Sequence, residues 1–194
     1  MYHDKNTPPA PRALYHAFLG LLSLPASAHT LVLNQLVPPV GVADRGELQY
    51  LNNQFSYKNW NSAQLPGKVR VIQHIAGRTS AKEMNDPLIS ALKAANLPHD
   101  YYQTTTIVNT DDAIIGTSMF VRSSLEDNKK AFPWSQFIVD SNGNVRKTWQ
   151  LQPQSSAIAV LDKQGKIRFV KDGALSGQEV QQVMSLLHQL LEEK

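Results

Sequence analysis

Residues 67 to 88, GKVRVIQHIAGRTSAKEMNDPL, limit the possible folds more than any other stretch of the chain. Pro66-Gly67 is a turn signal, and Val69 to Ala76 after it form an apolar run rich in β-branched residues. On a strand, Val69, Val71 and Ile75 fall on one side and Ile72 on the other. A strand that is apolar on both sides belongs inside a covered sheet. A tight loop at Gly77 leads into Ser80-Ala81-Lys82-Glu83, which has the spacing of a capping box with Ser80 as the helix cap. Met84, Leu88, Ala91, Leu92 and Ala95 then recur at helical spacing, Pro87 predicts a kink inside that helix, and Asn96-Leu97-Pro98 ends it. A buried strand followed directly by a loop and a helix points to an α/β architecture.

The flanking segments extend this pattern. Residues 36–68 hold Pro38-Pro39, Gly46 and several asparagines, and read as turns around one short hairpin. TTTIVNTDD, from residue 104, is a second β-branched strand, and SMFVRSSLEDNKKAF, from 118, is a helix ending before Pro133. SQFIVD-SNG-NVRKTW and AIAVLD-KQG-KIRFVK read as two strand-turn-strand units, each centred on D-x-x-G (Asp140 to Gly143, Asp162 to Gly165). Ser176-Gly177-Gln178-Glu179 is another capping box, and Val180, Val183, Met184, Leu187, Leu190 and Leu191 make one apolar stripe on a closing helix. The order β-α-β-α-ββ-ββ-α implies a sheet parallel at first and antiparallel at one edge, with helices on both faces.

Composition excludes several function classes. The chain has 194 residues with 42% hydrophobic and 18% charged residues, a soluble globule with room for one full core. The net charge of +3 is spread along the chain, so neither a nucleic-acid nor a membrane patch is indicated. There is no cysteine, which removes disulfides, thiolate metal sites and thiol nucleophiles. At the N-terminus, Lys5 and Arg12 precede an apolar run from Ala13 to Leu24, followed by Pro25 and Ala26-Ser27-Ala28. That is the layout of a secretory signal peptide over residues 1–28, too short to anchor in a bilayer, ahead of a single mature domain at 29–194.

From about Pro38 onward the motifs resemble thioredoxin-like proteins of the redoxin type. The likeness is carried by W-x-x-x-x-L-P-G-K-V from Trp60, the strand-loop-helix, IVNTDD, FPWSQFIVDSNGNV, AIAVLDKQGKI and KDGALSGQEVQQV. More narrowly, PPVGVADRGEL, FSYKNWNSAQLPGKVRVIQHIAGRTSAKE, LPHDYYQTTTIVNTDDAI and FVRSSLEDNKKAFPWSQFIVDSNG resemble the YtfJ family of exported bacterial proteins. The resemblance implies a three-layer α/β sandwich with a mixed central sheet, a periplasmic location and no assigned reaction. It also shows what is missing. Thr79 and Lys82 stand where redox relatives place their cysteine pair, Gln73 stands for the proton-handling acid, and Ser156 falls at the place of the cis-proline. Thiol exchange and thiol-based peroxide reduction are therefore not expected, and fold alone does not indicate another activity.

The remaining candidates cluster at one sheet edge. Gly77, Arg78, Thr79 and Ser80 follow a strand and open a helix, where free backbone N–H groups and the helix dipole favour anions. The plainer reading is a capped helix with a solvated arginine. Parallel topology would bring Thr110, Asp111 and Asp112 to the same edge, and the returning strand would bring Ser155 and Ser156. Arg78 with Asp111 or Asp112 would then be part of a site or an exposed salt bridge, the commoner arrangement.

The expected ligand-binding set is thus Gly77, Arg78, Thr79, Ser80, Lys82, Asp111, Asp112 and Ser156, for a periplasmic protein partner or a small anionic ligand, with no cofactor and no metal. The alternative is a non-redox hydrolase or transferase using Arg78, Ser80, Lys82 and Asp111. His29, His74 and His99 read as structural. Asp140 to Asn144 reads as a β-turn, not a calcium loop, and Trp60, Trp134 and Trp149 read as packing residues, with an exposed aromatic patch for a partner as the alternative.

Overall fold

The computed structural model describes residues 29–193, so the predicted signal peptide lies outside the described residues. A hairpin of β1 (Gly41–Leu51) and β2 (Gln54–Asn61) comes first, longer than the short hairpin expected from its turn residues. Its turn is Asn52-Asn53, both at positive φ (50° and 59°), the left-handed pair that suits the twist of a two-residue hairpin. The chain then runs β3 (Val69–Ala76), α1 (Thr79–Glu83), α2 (Asp86–Ala95), β4 (Tyr102–Asn109), α3 (Ser118–Ala131), β5 (Gln136–Asp140), α4 (Asn144–Trp149), β6 (Ser156–Leu161), β7 (Ile167–Asp172) and α5 (Gly177–Glu192).

The strands form one mixed sheet in the order β2-β1-β5-β4-β3-β6-β7. As expected, β3 lies inside it, parallel to β4 and antiparallel to β6. β5 is parallel to β4, while β1 and β7 pair antiparallel with their neighbours. The β3-to-β4 and β4-to-β5 crossovers step in the same direction, so the right-handed rule sends α2 and α3 to the same face. α5 joins them there.

Side-chain alternation divides the core. Ile72, Ile107, Ala157, Ala159 and Leu161 point to one face, where Trp60, Val145 and Trp149 cover them. Trp149 also donates from its indole nitrogen to Pro38 O at 2.9 Å. On the other face, Val69, Val71, Ile158 and Val160 pack under Leu88 and Leu92 of α2 and Val183 and Leu187 of α5. A separate cluster of Leu48, Ile75, Val108, Phe137 and Val139 packs against Leu125 of α3. Among the described residues, no helix is long and apolar enough to cross a membrane.

Three local expectations are corrected. Ser80 does not cap a helix: α1 starts one residue earlier, Arg78 is its N-cap with extended backbone, and no side chain caps it. Pro87 does not kink a continuous helix; the chain breaks at Asn85, and Pro87 sits in the first turn of a new helix, where a missing N–H costs nothing. NVRKTW is not a returning strand, and Asp140 to Asn144 is not a hairpin turn. Asp140 accepts from the backbone nitrogens of Asn144 (3.0 Å) and Val145 (2.8 Å), and Gly143 takes a left-handed φ of 64°, so the segment winds into α4. Val145 and Trp149, four apart, then both reach the core. The second strand-turn-strand unit is the β6–β7 hairpin, and the capping box of Ser176 and Glu179 is formed as read.

Candidate functional site

Backbone bonds join the carboxyl end of β3 to the end of β4 and to the start of β6: Gly77 N donates to Asn109 O (2.8 Å) and Ala76 N to Ser155 O (3.0 Å). A Cβ on Gly77 would lie 3.0 Å from Ala113 Cβ and 3.3 Å from Asn109 O, so only glycine lets these loops approach without a shift. Arg78 reaches across and donates twice to the carbonyl oxygen of Asp112, from Nε at 3.0 Å and Nη2 at 2.7 Å, and once to Gln154 Oε1 at 3.2 Å.

The expected Arg78 ion pair with Asp111 or Asp112 does not form, because both carboxylates are engaged elsewhere. Asp112 Oδ2 accepts from Asn109 Nδ2 (2.9 Å) and Gln154 N (3.1 Å) and lies 3.4 Å from Arg146 Nε. Asp111 pairs with Lys147 at 3.4 Å. Ser156 is buried and donates to His74 O at 3.2 Å. No hydrogen bond joins Ser80 to Lys82 or Asp111 among the described residues, so the hydrolase set is not assembled. α1 is five residues long, too short for an appreciable dipole at its start.

The opposite face of this edge brings Asn109 and Arg146, which the sequence did not single out, together with His74 and Asp112. His74, on β3, is 2% exposed, and its Nε2 has no hydrogen-bond partner. Burial lowers its pKa to about 4; Asp112 opposes that shift and Arg146 reinforces it. Asn109, Asp112 and Arg146 are thus joined under the loops, within the electrostatic reach of His74. No group of three or more His, Cys, Asp or Glu side chains among the described residues could hold a metal ion.

The open feature lies on the sheet face that carries α2, α3 and α5, between α2 and α3. There Gln73, Thr104 and Thr106 interrupt the apolar layer and leave a cavity of about 830 Å³. That is within the range of small-molecule sites. Gly77, Arg78, Thr79 and Lys82 line it at the carboxyl edge, with Ile114, Thr117 and Phe120 from the loop and helix opposite. Ser80, Asp111, Asp112 and Ser156 are not among its lining residues. At the far end, His99 stacks on Trp134 with ring centres 4.0 Å apart, and the Lys93 ammonium lies 5.1 Å from the centre of the Phe132 ring. Trp134 is 40% exposed, so it is not the packing residue expected of it, unlike Trp60 and Trp149.

Residues 31–190 match the family described as a bacterial protein of unknown function, YtfJ_HI0045. The chain belongs to this family. The uncharacterized protein YtfJ of Escherichia coli (strain K12) is 67% identical over 171 residues, covering 88% of this chain and 93% of that one. An uncharacterized Haemophilus influenzae (strain ATCC 51907 / DSM 11121 / KW20 / Rd) protein is 46% identical over 163 residues, covering 84% and 89%. Solved structures show that this YtfJ-family chain has a thioredoxin-like fold. The thioredoxin-like superfamily protein SPOA0173 has a TM-score of 0.54 at 20% identity, covering 76% of this chain and 96% of that one. The thioredoxin domain of the thiol-disulfide oxidoreductase BVU-2223 from Bacteroides vulgatus has a TM-score of 0.54 at 12% identity, covering 81% and 99%. At these identities the likeness shows the fold alone, and the YtfJ-family chain has no cysteine with which to exchange thiols.

Proposed function

We propose that this YtfJ-family chain is a periplasmic, non-redox binding module that holds a small organic ligand in the groove between α2 and α3. The periplasmic part rests on the basic start, apolar run and Ala26-Ser27-Ala28 end of the leader. The binding part rests on one observation: a cavity of about 830 Å³ on the sheet face, lined at the carboxyl edge by Gly77, Arg78, Thr79 and Lys82. A well-formed concave site with a few convergent polar groups is the usual geometry for holding a ligand. This moves the binding surface from the loop tips onto the sheet face. The hydrolase or transferase alternative gains nothing from the geometry, since Ser80, Lys82 and Asp111 do not converge.

The test is a fluorescence titration with the dye 1-anilinonaphthalene-8-sulfonate on the natively folded protein. Saturable binding to the wild type, lost in Ser124→Trp, is expected, because Ser124 lines the groove from α3 and an indole there obstructs it midway. Equal binding by both proteins, with cooperative unfolding retained, would contradict the proposal. Location is tested by osmotic-shock fractionation, with recovery in the cytoplasmic fraction as the contrary result.

A further inference from the structure

The chemistry of the groove narrows its ligand class. Its floor is polar by residue type but largely satisfied from within. Gln73 Nε2 donates to Thr106 Oγ1 at 2.8 Å, Asn85 Nδ2 donates to Gln73 Oε1 at 3.2 Å, and the Tyr102 and Thr104 hydroxyls bond to each other at 2.8 Å. Burial pushes the Tyr102 phenol up to about 12, so it stays neutral. With those groups bonded to one another, the surface offers a ligand mainly methyl groups and rings: Ile75, Val108, Val121, Leu125 and Phe137. Along β4 the floor runs from Tyr102 to Val108, roughly 20 Å at the usual strand rise.

Charge gives the groove a direction. Arg78, Lys82 and Lys93 line it, and Asp86 is the one carboxylate among the described lining residues, so its field favours anions. The three cations are not equally available. Arg78 is tied to Asp112 O and Gln154, and the Lys93 ammonium lies over the Phe132 ring, which packs edge-on against Trp134. Lys82 is exposed at the carboxyl edge of the sheet, and its ammonium has no hydrogen bond or ion pair among the described residues.

We propose that the groove takes an elongated amphipathic anion, its apolar body along Ile75, Val108 and Leu125 and its carboxylate-type group at Lys82. This rests on the reading of the groove as the ligand seat. The probes are sodium decanoate and decyltrimethylammonium bromide, the same apolar length with opposite charge, titrated below micelle formation by calorimetry. Decanoate is expected to bind the wild type at least about tenfold more tightly than the cation, a difference of roughly 1.4 kcal/mol. Lys82→Gln removes most of that difference, Lys93→Gln leaves most of it, and sodium acetate does not bind. Ser124→Trp, or Asn128→Trp should the first fail to fold, abolishes binding of both decyl probes.

The outcomes separate the two readings. Equal affinity for the two decyl probes, or a decanoate preference that survives Lys82→Gln, overturns the ligand class and leaves the groove standing. Absence of binding by either probe to the wild type, or binding unaltered by obstructing the groove, overturns both.

Discussion

Gln73 on β3 donates from Nε2 to Thr106 Oγ1 on β4 at 2.8 Å, joining two strands on the face where their neighbours carry the apolar core. This polar pair separates the cluster under α2 and α5 from the one under α3, and the groove lies over the boundary. Gln73 is half-buried and lines the groove, so water can replace part of the lost bond, and Thr106→Val is expected to destabilise the protein by about 0.5–1.5 kcal/mol. Urea unfolding of the two proteins measures it; a change within a few tenths of a kcal/mol would show that the pair is not holding the floor.

On the opposite face, Trp149 is buried and bonded to Pro38 O. Trp149→Ala removes a large ring and leaves a cavity, so a loss of about 3–5 kcal/mol is expected. An unchanged unfolding midpoint would mean that α4 contributes little to the fold.

Gly143 holds a φ of 64°, and a Cβ there would meet Asp111 Oδ2 at 3.0 Å. Gly143→Ala therefore combines left-handed strain with crowding of the Asp111–Lys147 pair, and is expected to cost about 1–2 kcal/mol. A melting temperature equal to that of the wild type contradicts the strain argument.

His74 supplies the pH dependence. Its pKa falls from the usual 6.5 to about 4 in the fold, driven by burial, with Asp112 opposing and Arg146 reinforcing the shift. Between those two values the unfolded chain binds more protons, so stability rises with pH across that window and is lost as pH falls through it. The full shift corresponds to about 3 kcal/mol at most. Burial raises the pKa of Asp140 and of Asp172, which makes their contributions run the other way, with stability falling as pH rises above the ordinary carboxylate range. The His74 part is therefore read as a difference between two proteins. From pH 4.5 to 6.5, unfolding free energy should climb more steeply in the wild type than in His74→Gln; parallel curves would exclude the buried imidazole as the source.

Much of the sheet was readable because its signals are local. The β-branched run at Val69 to Ala76, the Asp162-to-Gly165 turn and the Ser176 cap each specify their element within a few residues. The errors came where a local pattern had two solutions. D-x-x-G at Asp140 serves equally to turn a hairpin or to cap a helix. The difference is made by the burial of Val145 and Trp149 against the sheet, a tertiary effect. Ser80 had the spacing of a cap, but the loop closes through Gly77 and Arg78, so the helix begins before it.

The site was half visible. Topology brings the 77–80, 110–112 and 155–156 loops to one edge, as parallel pairing of β3 and β4 requires. The partners of Asp111 and Asp112 could not be read, because Arg146 and Lys147 reach that edge only if NVRKTW is helical. The groove was also hidden, although Gln73, Thr104 and Thr106 sit at alternate positions in strands otherwise rich in apolar residues. Polar residues at the core-facing positions of an interior strand were the signal that could have found it.

The most direct measurement is methyl-resolved NMR of the wild-type protein titrated with sodium decanoate. The account predicts saturating shifts at Ile75, Ile89, Val108, Val121 and Leu125 along the groove, with Val145 and Leu161 on the opposite face unmoved. Shifts confined to that opposite face or to the loop tips around Asp111, or no shifts at all, would contradict it.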